Sequence, residues 1–267
     1  MSIGPLDGLP MVRGQSAREV FCAIARHAMR CVDFCLASDQ RMAASVRSPS
    51  TGSHQFFGEE TITENLVASL LQEFPSNIDV TLFTKPEERR NGADWYWRIQ
   101  HGDASLNALV QAKRVQRSAF GVADANCHVD ISAEQIDRLI GAAADAGIEG
   151  LQTWLFTYGR SNATPPCGTD PALCHHHKHH GECSEIPSEA SIWVAQANEV
   201  RGLGHHLFPR FVANSVRLDC LLPCLPNAWE GPQIKGFALT SGAPSFGQCS
   251  KILADVTPLG AAINISL

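Results

Sequence analysis

Asp94, Gln111 and Lys113 are the residues whose types and spacing could do chemistry together. Side chains alternate along a strand, so Gln111 and Lys113, two residues apart, project from one face. Asp94 opens the preceding segment DWYWRI, and a hairpin return would lay residues late in the second strand beside those early in the first. Asp94 should therefore neighbour Gln111 and Lys113, provided the register sets all three on the same face. One carboxylate, one amide oxygen and one ammonium would then converge. That grouping suits metal-assisted phosphodiester hydrolysis. Mg²⁺ prefers hard oxygen ligands and keeps several waters, so one or two protein carboxylates suffice. A bound cation lowers the pKa of its water and neutralises charge on the scissile phosphate. A neighbouring lysine can orient or deprotonate the attacking water, or stabilise developing charge. Gln111 is neutral where an acid would add charge, which raises the importance of a further carboxylate. The helix start Gly58-Glu59-Glu60 supplies candidates.

The elements that must position these residues lie between 59 and 158 and predict an αβββαβ unit. After Gly58, the residues Ile62, Leu66, Val67, Leu70, Leu71 and Phe74 follow at helical spacing, and Pro75 ends the helix. Ile78 to Thr84 alternates as a strand, with Ile78, Val80 and Leu82 on one side. Residues 85–92 (KPEERRNG) form a charged turn. Two strands, 94–99 and 106–113, are joined across Gln100-His101-Gly102-Asp103, a loop longer than the tightest hairpin. Ser132 and Gln135 have the S-x-x-Q form of a capping box ahead of a helix reaching Gly147, and Leu151 to Tyr158 reads as a buried strand. Upstream, Ser16 is an N-cap for a helix carrying Val20, Ile24, Met29, Val32 and Leu36 on its packed side. Ser188 to Val200 is compatible with a further helix. Three segments of a single α/β domain result: a leader and helix over 1–57, the core over 58–158, and a Cys/His-rich loop with an irregular extension over 159–267.

Composition narrows the classes. Net charge is −6 with a sequence pI near 6.0, which speaks against a general polyanion binder. Between Lys85 and Arg117, however, seven basic residues face four acidic ones, a local basic surplus. No stretch is apolar enough to span a bilayer, since Val20 to Leu36 is interrupted by Arg26, His27, Arg30 and Asp33. The N-terminus lacks a secretory layout, so a cytoplasmic protein without membrane attachment is expected. The ten cysteines then read as thiols or metal ligands before disulfides. Cys22, Cys31 and Cys35 fit a helical pattern as small buried residues. No G-x-S-x-G elbow occurs, and Gly202-Leu203-Gly204 lacks the third glycine of a dinucleotide fingerprint. Trp95 and Trp97 are expected in a core, with Tyr96 and Arg98 as weak substrate-contact candidates on the Asp94 face.

The strings Gly58-Glu59-Glu60-Thr61-Ile62-Thr63, Phe83-Thr84-Lys85-Pro86-Glu87-Glu88, Gly92-Ala93-Asp94-Trp95 and Val110-Gln111-Ala112-Lys113-Arg114, in that order, carry a resemblance. The chain resembles the restriction-endonuclease-like PD-(D/E)xK nucleases, in the Q-x-K variant seen in Mrr-type branches, and more closely an uncharacterised bacterial family placed among them. The resemblance covers residues 58–158 well and the last hundred poorly. It implies a Mg²⁺- or Mn²⁺-dependent endonuclease acting on DNA, in a setting such as phage defence. Asp94 and Gln111 would be metal ligands, the Ala112 carbonyl a further one, and Lys113 the catalytic lysine. The helix glutamate would be Glu60 or Glu59. Periodicity does not separate them, and Glu60 is the one favoured.

Two alternatives come from other classes. A nuclease-like fold that has lost catalysis could serve as a nucleic-acid or protein interaction module, as the neutral Gln111 and the negative net charge suggest. Residues 167–183 (CGTDPALCHHHKHHGEC) could instead organise the protein around Zn²⁺ through Cys167, Cys174 and Cys183. Their spacings do not match common fingers, and a solvated His-rich loop is the plainer reading.

Overall fold

Ser16 starts the first helix through a reciprocal cap. The Glu19 carboxylate accepts from the Ser16 N–H (2.7 Å) and Ser16 Oγ from the Glu19 N–H (3.3 Å). Helix α1 (Ala17–Ser45) runs well beyond the expected Leu36. It buries Val20, Phe21, Ile24, Ala28, Val32 and Cys35, and it contacts α2 (Glu59–Glu73) and the later helix Leu218–Cys224. Of the three cysteines expected to be buried here, Cys35 is; Cys22 and Cys31 are half-buried, and none of the three is in a disulfide. The computed structural model describes residues 16–45, 56–102, 104–116, 127–148, 150–161, 190–201, 206–224 and 240–241. The expected leader and the Cys167, Cys174 and Cys183 segment lie outside the described residues.

Beyond α2 the order is β1 (Ile78–Leu82), α3 (Lys85–Asn91), β2 (Trp95–His101), β3 (Ala104–Arg114), β4 (His128–Val129), α4 (Ala133–Ala146) and β5 (Gln152–Ser161). Next come β6 (Ala190–Gln196), α5 (Ala197–Val200), β7 (His206–Leu207), α6 (Phe208–Val212), β8 (Val216–Arg217), α7 (Leu218–Cys224) and β9 (Thr240–Ser241). The main sheet has the order β1-β2-β3-β5-β6-β8, with β9 paired to the start of β3; β4 and β7 form a separate pair. The protein is thus mixed α/β with a mostly antiparallel sheet. Its one parallel pairing among the described strands is β3 with β5, and α4 lies on the crossover between them. No helix among the described residues is long and apolar enough to cross a membrane.

Alternation divides the two faces. Trp95, Trp97, Trp154 and Phe156 share one face as neighbouring rings: Trp154 and Phe156 stack at 6.0 Å, and the others meet edge to face at 5.6–6.4 Å. All four are buried, as expected for the tryptophans of β2, and each contributes roughly 2–3 kcal/mol by its removal from water. The same face reaches α1 and α2 through polar contacts. Tyr158 Oη lies 3.1 Å from Thr63 Oγ1, and Arg160 pairs with Asp33 at 2.7 Å. The opposite face carries Asp94 and Gln111 and meets α4.

Several expectations need correction. Residues 85–91 are a helix, not a turn, started by the Thr84 N–H donating to the Glu87 carboxylate (2.6 Å) and stopped by Gly92 at φ 73°. Leu82, still paired with Trp95 on the edge strand of the sheet, is 46% exposed rather than buried with Ile78. The hairpin pairs His101 with Ala104, leaving a two-residue turn with Gly102 at φ 56°, tighter than expected. Residues 190–196 are a strand rather than a helix. Ser191 through Ala197 are all buried, so the segment lacks the alternation that would have marked it. The region after 159 therefore completes the sheet with β6 and β8 and is more than an irregular extension.

One buried ion pair ties the layers together at the site end. Arg114, on the α1 side of β3, donates Nη2 to Asp39 Oδ2 (2.5 Å) and Nη1 to the Phe57 carbonyl. Asp39 Oδ1 also accepts from the Phe56 and Phe57 N–H groups (2.5 and 2.9 Å). Burial alone would raise the Asp39 pKa, but the Phe57 N–H, the guanidinium and the Phe56 N–H together hold it below the ordinary carboxylate value. Asp39→Ala leaves the Arg114 charge buried without its counter-ion. It is expected to cost about 3 kcal/mol in urea unfolding, and a loss below about 1 kcal/mol would show the pair to be dispensable.

Candidate active site

The β2–β3 ladder closes at Asp94. Its N–H donates to the Val110 carbonyl (2.8 Å) and its carbonyl accepts from the Phe83 N–H (2.9 Å), so the Asp94 backbone is held from both sides. The approach is shaped by Asn91, whose Oδ1 accepts from the Ala93 N–H (2.9 Å). Gly92 is required here twice over. Its φ is positive, and a Cβ would stand 2.3 Å from the Gln135 carbonyl and 2.7 Å from the Leu139 nitrogen of α4. Beyond the last register pair, Trp95 with Val110, the Ala112 N–H is met by the Asp94 side chain, at 2.6 Å from Oδ2. Gln111 Nε2 donates to the same oxygen at 2.6 Å and to the Ala112 carbonyl at 2.8 Å.

Asp94, Gln111 and Lys113 are therefore brought to one face, with Asp94 directly beside Gln111. The orientation of Gln111 differs from expectation. Its amide nitrogen, not its oxygen, faces Asp94, and its oxygen accepts from Gln135 Nε2. Gln111 is a hydrogen-bond donor at this site, where a metal-ligand role would need its oxygen.

The two glutamates of α2 are separated by the structure. Glu59 Oε2 accepts from the Arg114 N–H (3.0 Å), and Oε1 lies 3.7 Å from Lys113 Nζ. Glu60 points away, is 67% exposed and pairs with Lys85 at 2.5 Å. The preference for Glu60 is thus corrected to Glu59. The reason is local: the Asp39–Arg114–Phe57 clamp holds the chain just ahead of α2, which turns its first residue onto the end of β3.

Burial dominates the electrostatics. It pushes the Asp94 carboxyl up to about 7; the Ala112 N–H opposes the rise, Glu59 adds to it, Lys113 opposes it and Glu88 adds to it. Burial likewise raises Glu59, against the pull of Lys113, the Arg114 N–H and Lys85. Two carboxylates thus share a space in which negative charge is costly and Lys113 is the nearest cation. Among the described residues no three carboxylate, imidazole or thiol groups cluster as metal ligands, so a cation here would draw on amide and carbonyl oxygens as well.

The weaker candidates are not part of this cluster. The Tyr96 hydroxyl donates to Asn107 Oδ1 (2.6 Å) within the sheet, and Arg98 faces Asp79 at 3.9 Å. Gln135, which the sequence marks only as a capping residue, is the site neighbour that reading missed. Its signal was present in S-x-x-Q, but nothing in the pattern tells a side chain that caps its own helix from one that crosses to a strand.

Residues 35–245, which include every residue of this cluster, match a family described as a family of unknown function, DUF6615, and the chain belongs to it. No curated protein matches the chain.

The raised Asp94 pKa fixes a sign. The unfolded chain loses this proton near pH 4 and the folded chain near pH 7, so the folded state binds more protons in between and stability falls as pH rises through that window. In EDTA, wild type is expected to lose on the order of 1–2 kcal/mol more than Asp94→Asn between pH 4.5 and pH 8 in urea unfolding. Parallel pH profiles for the two proteins would contradict this.

Proposed function

We propose that the chain is a divalent-cation-dependent nuclease of the restriction-endonuclease-like type, acting on DNA. The observation that carries this is the convergence of Asp94, Glu59, Lys113 and the Ala112 carbonyl at the end of β3. They sit where an antiparallel β1-β2-β3 set passes through α4 into the parallel β5. With α2 ahead of it, and α3 and β4 interposed, that element order supports the αβββαβ reading the family resemblance implies.

The donors suit Mg²⁺ or Mn²⁺. Asp94 Oδ2 and the Ala112 carbonyl already share one N–H donor group, that of Gln111, so two hard oxygens point into a common space. Asp94, the Ala112 carbonyl and Glu59 would hold the cation, joined by Gln111 when its oxygen is turned inward. A bound cation supplies an acidified water and neutralises phosphate charge. Lys113, largely buried beside Glu59, donates its N–H groups toward the reacting phosphate and offsets the charge that develops there. Helix α3 runs directly into the Asp94 loop, and its exposed Arg89 and Arg90 sit in the last turn, placed to follow a phosphate backbone.

One observation favours a second reading, an inactive nuclease-like module that binds nucleic acid or protein. Gln111 brings no charge, and its amide nitrogen occupies the Asp94 oxygen.

The test is cleavage of supercoiled plasmid and single-stranded DNA with Mg²⁺, Mn²⁺ or EDTA. Asp94→Ala, Glu59→Ala and Lys113→Ala are each expected to lose about 100-fold or more, while Glu60→Ala stays within about twofold of wild type. Cleavage that survives in Asp94→Ala locates the activity elsewhere. Absence of cleavage by wild type under every condition, with DNA retained in a binding assay, supports the inactive module.

A further inference from the structure

Helix α4 begins Ser132-Ala133-Glu134-Gln135, and half of a capping box forms: Ser132 Oγ accepts from the Gln135 N–H at 3.3 Å. The Gln135 side chain does not return to its own helix start. It crosses to β3 and donates Nε2 to Gln111 Oε1. Gln111 Nε2 in turn donates to Asp94 Oδ2 (2.6 Å) and to the Ala112 carbonyl (2.8 Å). Two amides thus form one directional chain from α4 to the carboxylate.

The ends of a primary amide are nearly identical in shape and opposite in hydrogen-bonding sense. Which end faces a given neighbour is decided by the partners, and Gln111 is 1% exposed, so water does not decide it. With Gln135 donating, the Gln111 oxygen must face α4 and its NH₂ must face Asp94. If Gln135 turns its own amide by half and offers an oxygen, the Gln111 NH₂ can face α4 and Oε1 can face the space between Asp94 and the Ala112 carbonyl. Both arrangements keep the amide–amide bond. Turning is cheap for Gln135, which is half-buried at the rim of α4.

We propose that Gln135 is a positioning residue whose amide sense sets that of Gln111. The pair then has a self-satisfied arrangement, in which the Gln111 NH₂ occupies the cation oxygens, and a receptive one, in which the Gln111 oxygen joins them. The inference rests on the cation site proposed above. A divalent cation binds by displacing an internal donor, and α4 governs how readily that donor leaves. The first turn of α4, rather than the ligands alone, sets the affinity of the site.

The test separates donor from acceptor at position 135 and reads cation affinity and amide resonances, neither of which requires turnover. Gln135→Lys offers only donors and locks Gln111 in the self-satisfied sense, so Mn²⁺ affinity by calorimetry is expected to fall about 10-fold or more. Gln135→Glu offers only acceptors and locks the receptive sense, so affinity is held or raised. Glu134→Lys places a cation one residue away without a donor to Gln111, and its effect is expected to stay within about threefold. In ¹⁵N spectra of wild type, the side-chain NH₂ signals of Gln111 and Gln135 should shift together and saturate at the same Mg²⁺ concentration. In metal-free Gln135→Glu the Gln111 signal should already be displaced.

Equal affinities for the Lys and Glu variants, or a Gln135 signal that does not follow Gln111, overturn the inference. Failure of wild type to bind any divalent cation overturns the proposed cation site instead. The metal-free Gln111 signal still decides whether Gln135 sets its orientation: unchanged in Gln135→Glu, it sinks the positioning role.

Discussion

At Asp94 the β2–β3 ladder changes from backbone pairing to side-chain pairing, and the layout of the site follows from that change. The strand pairing ends at Trp95 and Val110, and the Ala112 N–H, a backbone donor of a fully buried residue just beyond it, needs another acceptor. The Asp94 carboxylate fills that gap. In doing so it is drawn down beside Gln111 and kept away from water, which is also why its proton is hard to remove. A structural need, closing a strand pair, and a chemical property, a carboxylate that holds its proton, have the same cause. Everything nearby is placed relative to this junction: α3 and Gly92 deliver the chain to it, and α4 packs closely enough over Gly92 to bring Gln135 within reach of Gln111.

The last residues of β3 serve both faces of the sheet in turn. Gln111 and Lys113 face the site, while Ala112 and Arg114 face the α1–α2 layer. Arg114 does the mechanical work there by binding Asp39 and the Phe57 carbonyl, and its own N–H holds Glu59. Alternation along four residues therefore links the anchoring of α2 to the placement of the second carboxylate. Loosening the clamp would move Glu59 relative to Lys113 even though Asp39 is not part of the cluster.

Much of this was legible in the sequence wherever a simple period governed. The same-face relation of Gln111 and Lys113, the return of Asp94 to them, the extent of α2 and the burial of Trp95 and Trp97 all follow from strand or helix repeats. What was not legible depended on single tertiary contacts. Glu59 and Glu60 are equivalent by periodicity, and tertiary contacts with the Arg114 N–H and Lys113 distinguish Glu59. Helix α3 is too short for a helical period to show, although Thr84, Glu87 and Gly92 were the caps that announced it. Strand β6 is buried on both faces and so displays no alternation at all. Gln135 looked like a residue serving its own helix because S-x-x-Q usually is one. The side-chain sense of Gln111 could not be inferred from any pattern, since it is set by a partner on another element.

Strand β6 gives the site strand a position with no free edge. Because β6 and β8 follow β5 in the sheet, β5 is an interior strand, and β3 lies between β2 and β5 well inside it. The stretch that holds every residue of the candidate site ends at Tyr158, yet it is not a self-sufficient unit. Cut there, the chain would present Trp154 to Tyr158 as a bare, apolar strand with open hydrogen-bonding groups, a template for pairing with other chains. The later residues therefore act as insulation, keeping the part of the fold that holds the candidate site from recruiting its own copies.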